Sequence, residues 1–184
     1  LHLEEEQELK DNPILEEGST EPTTEPTIPP EANPFDQYDF QYNKRNYLYC
    51  LKQESYVGVD VSAFQKGIDW KAVKASGVDF AMLRLGYRGY GTGKIVLDTY
   101  FRQNIQDAQA NGIEIGVYFF SQAITEDEAR EEADYVINSL AATDVELSYP
   151  IVFDEEPITD GNVARTDDLT AAQFSANALA FCQR

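Results

Sequence analysis

The sequence predicts an α/β fold in which strand and helix alternate along the chain and the strands lie parallel. Three observations support this. From Tyr56 onward, short runs rich in Val, Ile, Leu and Phe recur between longer stretches with helical apolar spacing. Glycine or a capping residue marks most junctions. Four β-then-α units follow in series, an order that buries apolar strands under amphipathic helices through right-handed crossovers.

The first element is not part of that series. Residues 1–34 contain EEEQELKDN and then STEPTTEPTIPPEANP, where acid repulsion and repeated proline oppose a packed core. They read either as a stalk holding a folded head away from an anchor or as a disordered terminus. Residues 35–55 place aromatics on both sides of Asn43-Lys44-Arg45, the pattern of a hairpin. Its aromatic face is expected to pack on the following domain, with sugar stacking as the alternative.

The series begins with VGVDV (57–61) and the helix IDWKAVKAS, opened by Asp69 as N-cap and closed by Gly77. DFAMLRL (79–85) precedes DTYFRQNIQDAQAN, where Asp98 reads as a cap, Phe101, Ile105 and Ala108 share a face, and Gly112 stops the helix. IEIGVYFF (113–120) precedes TEDEAREEADYVINSLAA. There Thr125 and Glu128 have capping-box spacing, and Ala129, Ala133, Val136, Ile137 and Leu140 form the stripe to be buried. YPIVFDEE (149–156) is the fourth strand. The last helix starts at Thr170, boxed by Gln173, with Phe174, Ala178, Phe181 and Cys182 turned inward.

Composition removes several functions. A net charge of −19 would repel phosphates, which argues against nucleic acid or an anionic membrane as the partner. The single histidine is His2, so Ser-His-Asp, Cys-His and multi-histidine metal sites have no material. Cys50 and Cys182 are too few for a zinc cluster or a disulfide scaffold and read as buried free thiols, with a bridge as the alternative. No apolar run approaches a membrane span. The chain starts at Leu1 rather than Met, and an export or anchor segment is expected upstream.

Parallel strands bring their C-terminal ends to one rim, where ligands bind in such folds. Asp60 and Ser62, Arg84 and Tyr87, Tyr118 and Ser121, and Asp154 with Glu156 fall there. Within PIVFDEEP, alternation puts Asp154 and Glu156 on one face, about 6.6 Å apart at Cα, and Glu155 on the other. Two acids held close raise each other's pKa, so one can donate a proton while its neighbour stays ionised. Glycoside hydrolysis needs that division of labour. Acids that merely end a strand and cap a loop are the structural alternative.

GVDVSAFQKGIDWKAVKASGVDFAMLRLGYRG, LDTYFRQNIQDAQANGIEIGVYFFSQA, EAREEADYVINSL and YPIVFDEE, in this order over residues 56–184, resemble the glycoside hydrolase family 25 muramidases, the Chalaropsis-type lysozymes. The resemblance implies a modified TIM-type parallel β/α barrel of eight strands, of which 56–184 holds about the first half. It implies cleavage of the β-1,4 bond between N-acetylmuramic acid and N-acetylglucosamine in bacterial peptidoglycan, without a cofactor or metal. Glu156 would be the general acid/base, and Asp154 would orient the substrate's 2-acetamido group. Asp60 would line the cleft, with Arg84, Tyr87, Tyr118 and Gln65 around the sugar. The implied setting is extracellular or on the surface of a bacterium, with peptidoglycan strands as partner. Glu155 departs from the family, which has an apolar or aromatic residue there. Asp98, with Phe101 and Asn104, also fits the pattern, but its capping role is sufficient and it stays outside the expected site.

Two other readings use the same residues. A wall-binding module would keep the groove without turnover. A magnesium-dependent phosphoryl-transfer domain would use Asp60, Asp154 and Glu156 as ligands, although the chain has no glycine-rich phosphate loop.

Overall fold

The computed structural model describes residues 32–158 and 161–184. The stalk expected over 1–34 falls almost wholly outside them. Contacts separate Leu1–Asp36 from a body that runs from Gln37 to Arg184.

That body opens with β1 (Phe40–Tyr42) and β2 (Leu48–Cys50), paired antiparallel. The turn between them is built by Asn43, whose Oδ1 accepts from the backbone N–H groups of Arg45 and Tyr47 at 2.9 and 3.0 Å. The aromatic face does not pack as expected, for Tyr38, Phe40, Tyr42 and Leu48 are exposed. Polar groups attach the hairpin instead. Arg45 Nη1 donates to Ser76 O at 2.9 Å, in the space a Cβ on Gly77 would occupy.

Then come β3 (Gly58–Val61), α1 (Trp70–Ala75), β4 (Phe80–Arg88), β5 (Ile95–Leu97), α2 (Phe101–Ala110), β6 (Glu114–Phe120), α3 (Glu126–Ala141), β7 (Ile151–Asp154) and α4 (Ala171–Cys182). β3, β4, β6 and β7 lie side by side in that order, all parallel. The short β5 pairs antiparallel with the far end of β4 and is not among the strands expected from sequence.

Capping follows the side-chain chemistry. Asp69 accepts from Ala72 N at 3.0 Å, and Gly77 at φ +94° turns the chain out of α1. Thr170 and Gln173 form the reciprocal box at α4. At α3, Thr125 accepts from Glu128 N, but the Glu128 carboxylate reaches one residue further, to Ile124 N at 2.9 Å.

One face of the sheet is covered. Ala81, Leu83 and Leu85 of β4 and Ile115, Val117 and Phe119 of β6 meet Phe101, Ile105 and Ala108 of α2 and Ala129, Ala133 and Val136 of α3. The buried stripe of α3 differs from expectation in that Ile137 is exposed and Glu132 is buried. On α4 the inward residues are Asn177, Ala180 and Phe181. Cys182 is exposed and Cys50 buried, both free thiols.

A break in the alternation of β4 sets up the rim. Arg84 pairs with Tyr118, but Gly86 pairs with Phe119, so the strand carries one extra residue between them. Without that bulge Tyr87 would face the helices. With it, Arg84 and Tyr87 both face away from them, and Arg88 turns under α3. Gly86 is required there, since a Cβ would lie 2.6 Å from Val96 O.

Candidate active site

The uncovered face of the sheet forms a cleft at the C-terminal ends of the parallel strands. Its main part has a volume of about 690 Å³ and includes Asp60, Arg84, Tyr87, Tyr118, Asp154 and Glu156 in its walls. A second lobe shares Asp60, Tyr118, Asp154 and Glu156 and is floored by Met82 and Val152. Glu155 lines neither. The alternation inferred for PIVFDEEP therefore carries past the end of β7 at Asp154.

Each side chain has a structural reason for its place. Asp60 is the penultimate residue of β3, and its Oδ1 accepts from Tyr118 Oη on β6 at 3.0 Å. Burial, Asp60 and the bond between them hold the Tyr118 phenol far above its usual range, so it remains a neutral donor. Asp154 ends β7 half-buried. Burial pushes its carboxyl up, the charges of Glu156 and Asp60 push it further, and Arg84 pulls it partly back. These influences show three carboxylates and one guanidinium sharing one electrostatic environment.

Arg84 is held on several sides. Its Nε and Nη2 donate to Asp98 Oδ2 at 2.9 and 2.8 Å. The guanidinium lies 5.3 Å from the Phe64 ring centre and 5.1 Å from that of Tyr87, close enough for cation–π attraction. Asp98 is not the N-cap of α2, because that helix starts at Phe101 after Tyr100. Its carboxylate is buried and also accepts from Ala63 N and Tyr100 N, both at 2.9 Å. It ties the β3 end, β4 and the start of α2 together beneath the cleft. Sequence spacing alone could not distinguish this brace from a helix cap, since both place an acid before an apolar run.

Gln65 stands on the same wall, but its Oε1 accepts from Ser62 N at 2.8 Å in a reciprocal cap. Ser121, expected on the rim, is buried outside the cleft walls and accepts from Ala123 N at 3.1 Å. Phe64, which no sequence pattern singles out, projects into the cleft mouth with 82% of its surface exposed. Among the described residues, no group of three or more His, Cys, Asp or Glu is placed to hold a metal ion. Asp60, Asp154 and Glu156 thus do not form the cation site of the magnesium reading.

Kinship is decided by a match over residues 59–184 to the family described as glycosyl hydrolases family 25. The chain belongs to that family. Solved structures of similar fold include the modular autolysin LytC from Streptococcus pneumoniae in complex with a synthetic peptidoglycan ligand, at TM-score 0.60 and 24% identity over 78% of this chain and 32% of that one. A family 25 glycosyl hydrolase from Bacillus anthracis matches at TM-score 0.56 and 18% identity, over 81% of this chain and 59% of that one. The bacterial lysozyme from Streptomyces coelicolor matches at TM-score 0.52 and 25% identity, over 72% and 58%. The chain therefore spans less than two thirds of the length of each. No curated protein sequence matches it. As a family 25 member, it has the modified β/α-barrel fold, to which the described residues contribute four parallel strands and their helices.

Proposed function

We propose that the protein hydrolyses the β-1,4 bond between N-acetylmuramic acid and N-acetylglucosamine in bacterial peptidoglycan, acting outside the cell or at its surface. Supporting this most strongly is the meeting of Asp154 and Glu156, at the strand ends, with Asp60 and its partner Tyr118 in one lobe of the cleft.

The geometry gives each group a task. Glu156, at the cleft side of the β7 tip, donates a proton to the glycosidic oxygen as the C1–O bond breaks. The acetamido carbonyl oxygen of the same sugar attacks C1 from the other face, which closes a positively charged oxazolinium ring. Ionised Asp154 accepts the ring N–H and balances its charge in a half-buried setting where water screens weakly. Glu156 then takes a proton from a water that reopens the ring, so the anomeric configuration is retained. Tyr118 holds the Asp60 carboxylate at the cleft edge, while Phe64 and Tyr87 offer apolar faces to the sugar rings. Because Asp154 works ionised and its carboxyl is raised, the acid limb of activity lies above the range of an ordinary aspartate.

Replacing Glu156 with Gln in the whole protein tests the assignment. Release of reducing ends should fall by about 10²- to 10⁴-fold, with binding to insoluble peptidoglycan retained. Unchanged hydrolysis would remove Glu156 from its role.

A further inference from the structure

Behind the cleft, on the helix side of the sheet, lies a second set of acids for which the proposed chemistry has no use. Its centre is Glu132, on the inward stripe of α3 and 0% exposed. Its Oε1 accepts from Arg88 Nε at 2.7 Å, and the Ser121 hydroxyl and the Gln122 N–H also act on the carboxylate, although no donor is aligned on Oε2. Glu155, absent from the cleft walls, also has a buried oxygen without a partner, Oε1, and Glu132 is the charged group that acts on it.

Neither nearby arginine donates to Glu155. Arg88 Nη1 donates to Gly93 O at 2.8 Å, and its Nη2 donates to Glu131 and to Glu128 O at 2.8 and 3.0 Å. Arg165 Nη2 donates to Glu128 at 2.8 Å, and its Nη1 is buried with no hydrogen-bond partner. α4 carries no charged side chain. From the end of β6 come the neutral Ser121 and Gln122, both buried, whose hydroxyl and backbone N–H act on the Glu132 carboxylate, while Gln122 Oε1 accepts from Thr166 at 3.0 Å.

Two ionised carboxylates acting on each other in such surroundings, with one of them unpaired, are costly. A proton on Glu155 removes the repulsion and the cost of burying its charge. We propose that Glu155 is a positioning residue: neutral, it anchors the end of β7 behind the sheet and holds the adjoining Glu156 toward the cleft, and ionised, it is repelled by Glu132 and releases that anchor. This rests on the reading of Glu156 as proton donor. Burial first, and then the charge of Glu132, push the Glu155 carboxyl up to about 7. The folded state therefore binds this proton more tightly than the unfolded chain. The associated stability is complete below the ordinary glutamate range and is lost as pH rises through about 7.

The test is Glu155→Gln in the whole protein, a neutral side chain of the same shape. At pH 5 its kcat should stay within about twofold of wild type, and at pH 8 it should exceed wild type by up to roughly tenfold, with KM little changed, as expected for loss of one titration near 7. The Tm of wild type should decline between pH 5 and 8, and that of the variant should decline less, since Glu132 and Asp154 still titrate above their usual range. Superimposed kcat profiles would overturn the proposal, as would a folded variant inactive at every pH, which would make the Glu155 carboxyl itself the reacting group. If neither protein hydrolyses peptidoglycan, the reading of Glu156 has failed, and the Tm titration alone decides the anchor: the same decline in both overturns it. Should Glu155→Gln not fold, Glu132→Gln removes the repelling charge instead. The alkaline decline in Tm should then shrink, and its persistence at full size would sink the idea.

Discussion

The end of β7 presents the same kind of group to two different surroundings. On the cleft side, Asp154 and Glu156 share a wall with Asp60, Tyr118 and Arg84, open to solvent and to a ligand. On the helix side, the charge of buried Glu132 acts on Glu155, and neither Arg88 nor Arg165 donates to it. The larger upward push falls on Glu155 and not on Asp154, so a raised pKa by itself would point to the wrong carboxylate as the active one. What separates the two sides is access. Both carboxyls are displaced first by burial and then by like charge, but only the one that opens on the cleft is placed to serve a reaction.

If that contrast holds, disturbing each side should give a different kind of damage. On the helix side, Arg88→Ala leaves Glu132 buried without its partner and should cost about 3 to 5 kcal/mol of stability by urea unfolding. Burial already holds the Glu132 carboxyl above its usual range, so protonation relieves part of the loss and the damage should be greater at pH 8 than at pH 5. A variant as stable as wild type at pH 8 would break the comparison on this side.

On the cleft side, Asp154→Asn should leave the unfolding midpoint nearly unchanged and lower kcat by about 10²- to 10³-fold, the usual size for removing a group that stabilises transition-state charge. A large loss of stability without that kinetic effect would move Asp154 to the structural group. Tyr118→Phe deletes one hydrogen bond at the cleft edge, worth about 1 kcal/mol, and should lower kcat/KM by roughly fivefold. Phe64→Ala removes an exposed ring that supports no core. It should raise KM by about threefold with kcat and Tm preserved, and an unchanged KM would mean the ring does not meet the glycan.

The parts of this arrangement that are readable from sequence are those with local causes. Asp69 and Thr170 cap the helices they precede because a side-chain oxygen two or three residues from free N–H groups has a nearby partner in any context. Period-two alternation places Asp154 and Glu156 together because the pleat continues through the strand end. The misses have long-range causes. Asp98 looks like a cap because its partners Arg84 and Ala63 arrive from other strands. Glu132 is hidden in the acid-rich EDEAREEAD, where Arg88, 44 positions earlier, with Ser121 and Gln122 makes its burial tolerable. β5 has three residues and little periodicity, and it pairs only because the bulged end of β4 offers a free edge. The hairpin aromatics read as a packing face, yet Arg45 and Tyr47 attach that hairpin through polar bonds to Ser76.

The most direct measurement is a side-by-side rate comparison of Glu156→Gln and Glu155→Gln on peptidoglycan at pH 5, each normalised to folded protein. With Glu156 as proton donor, the first should lose about 10²- to 10⁴-fold in rate and the second should stay within about twofold of wild type. The reverse order, with Glu155→Gln inactive and Glu156→Gln working, would mean that the proton donor comes from the helix side of the sheet.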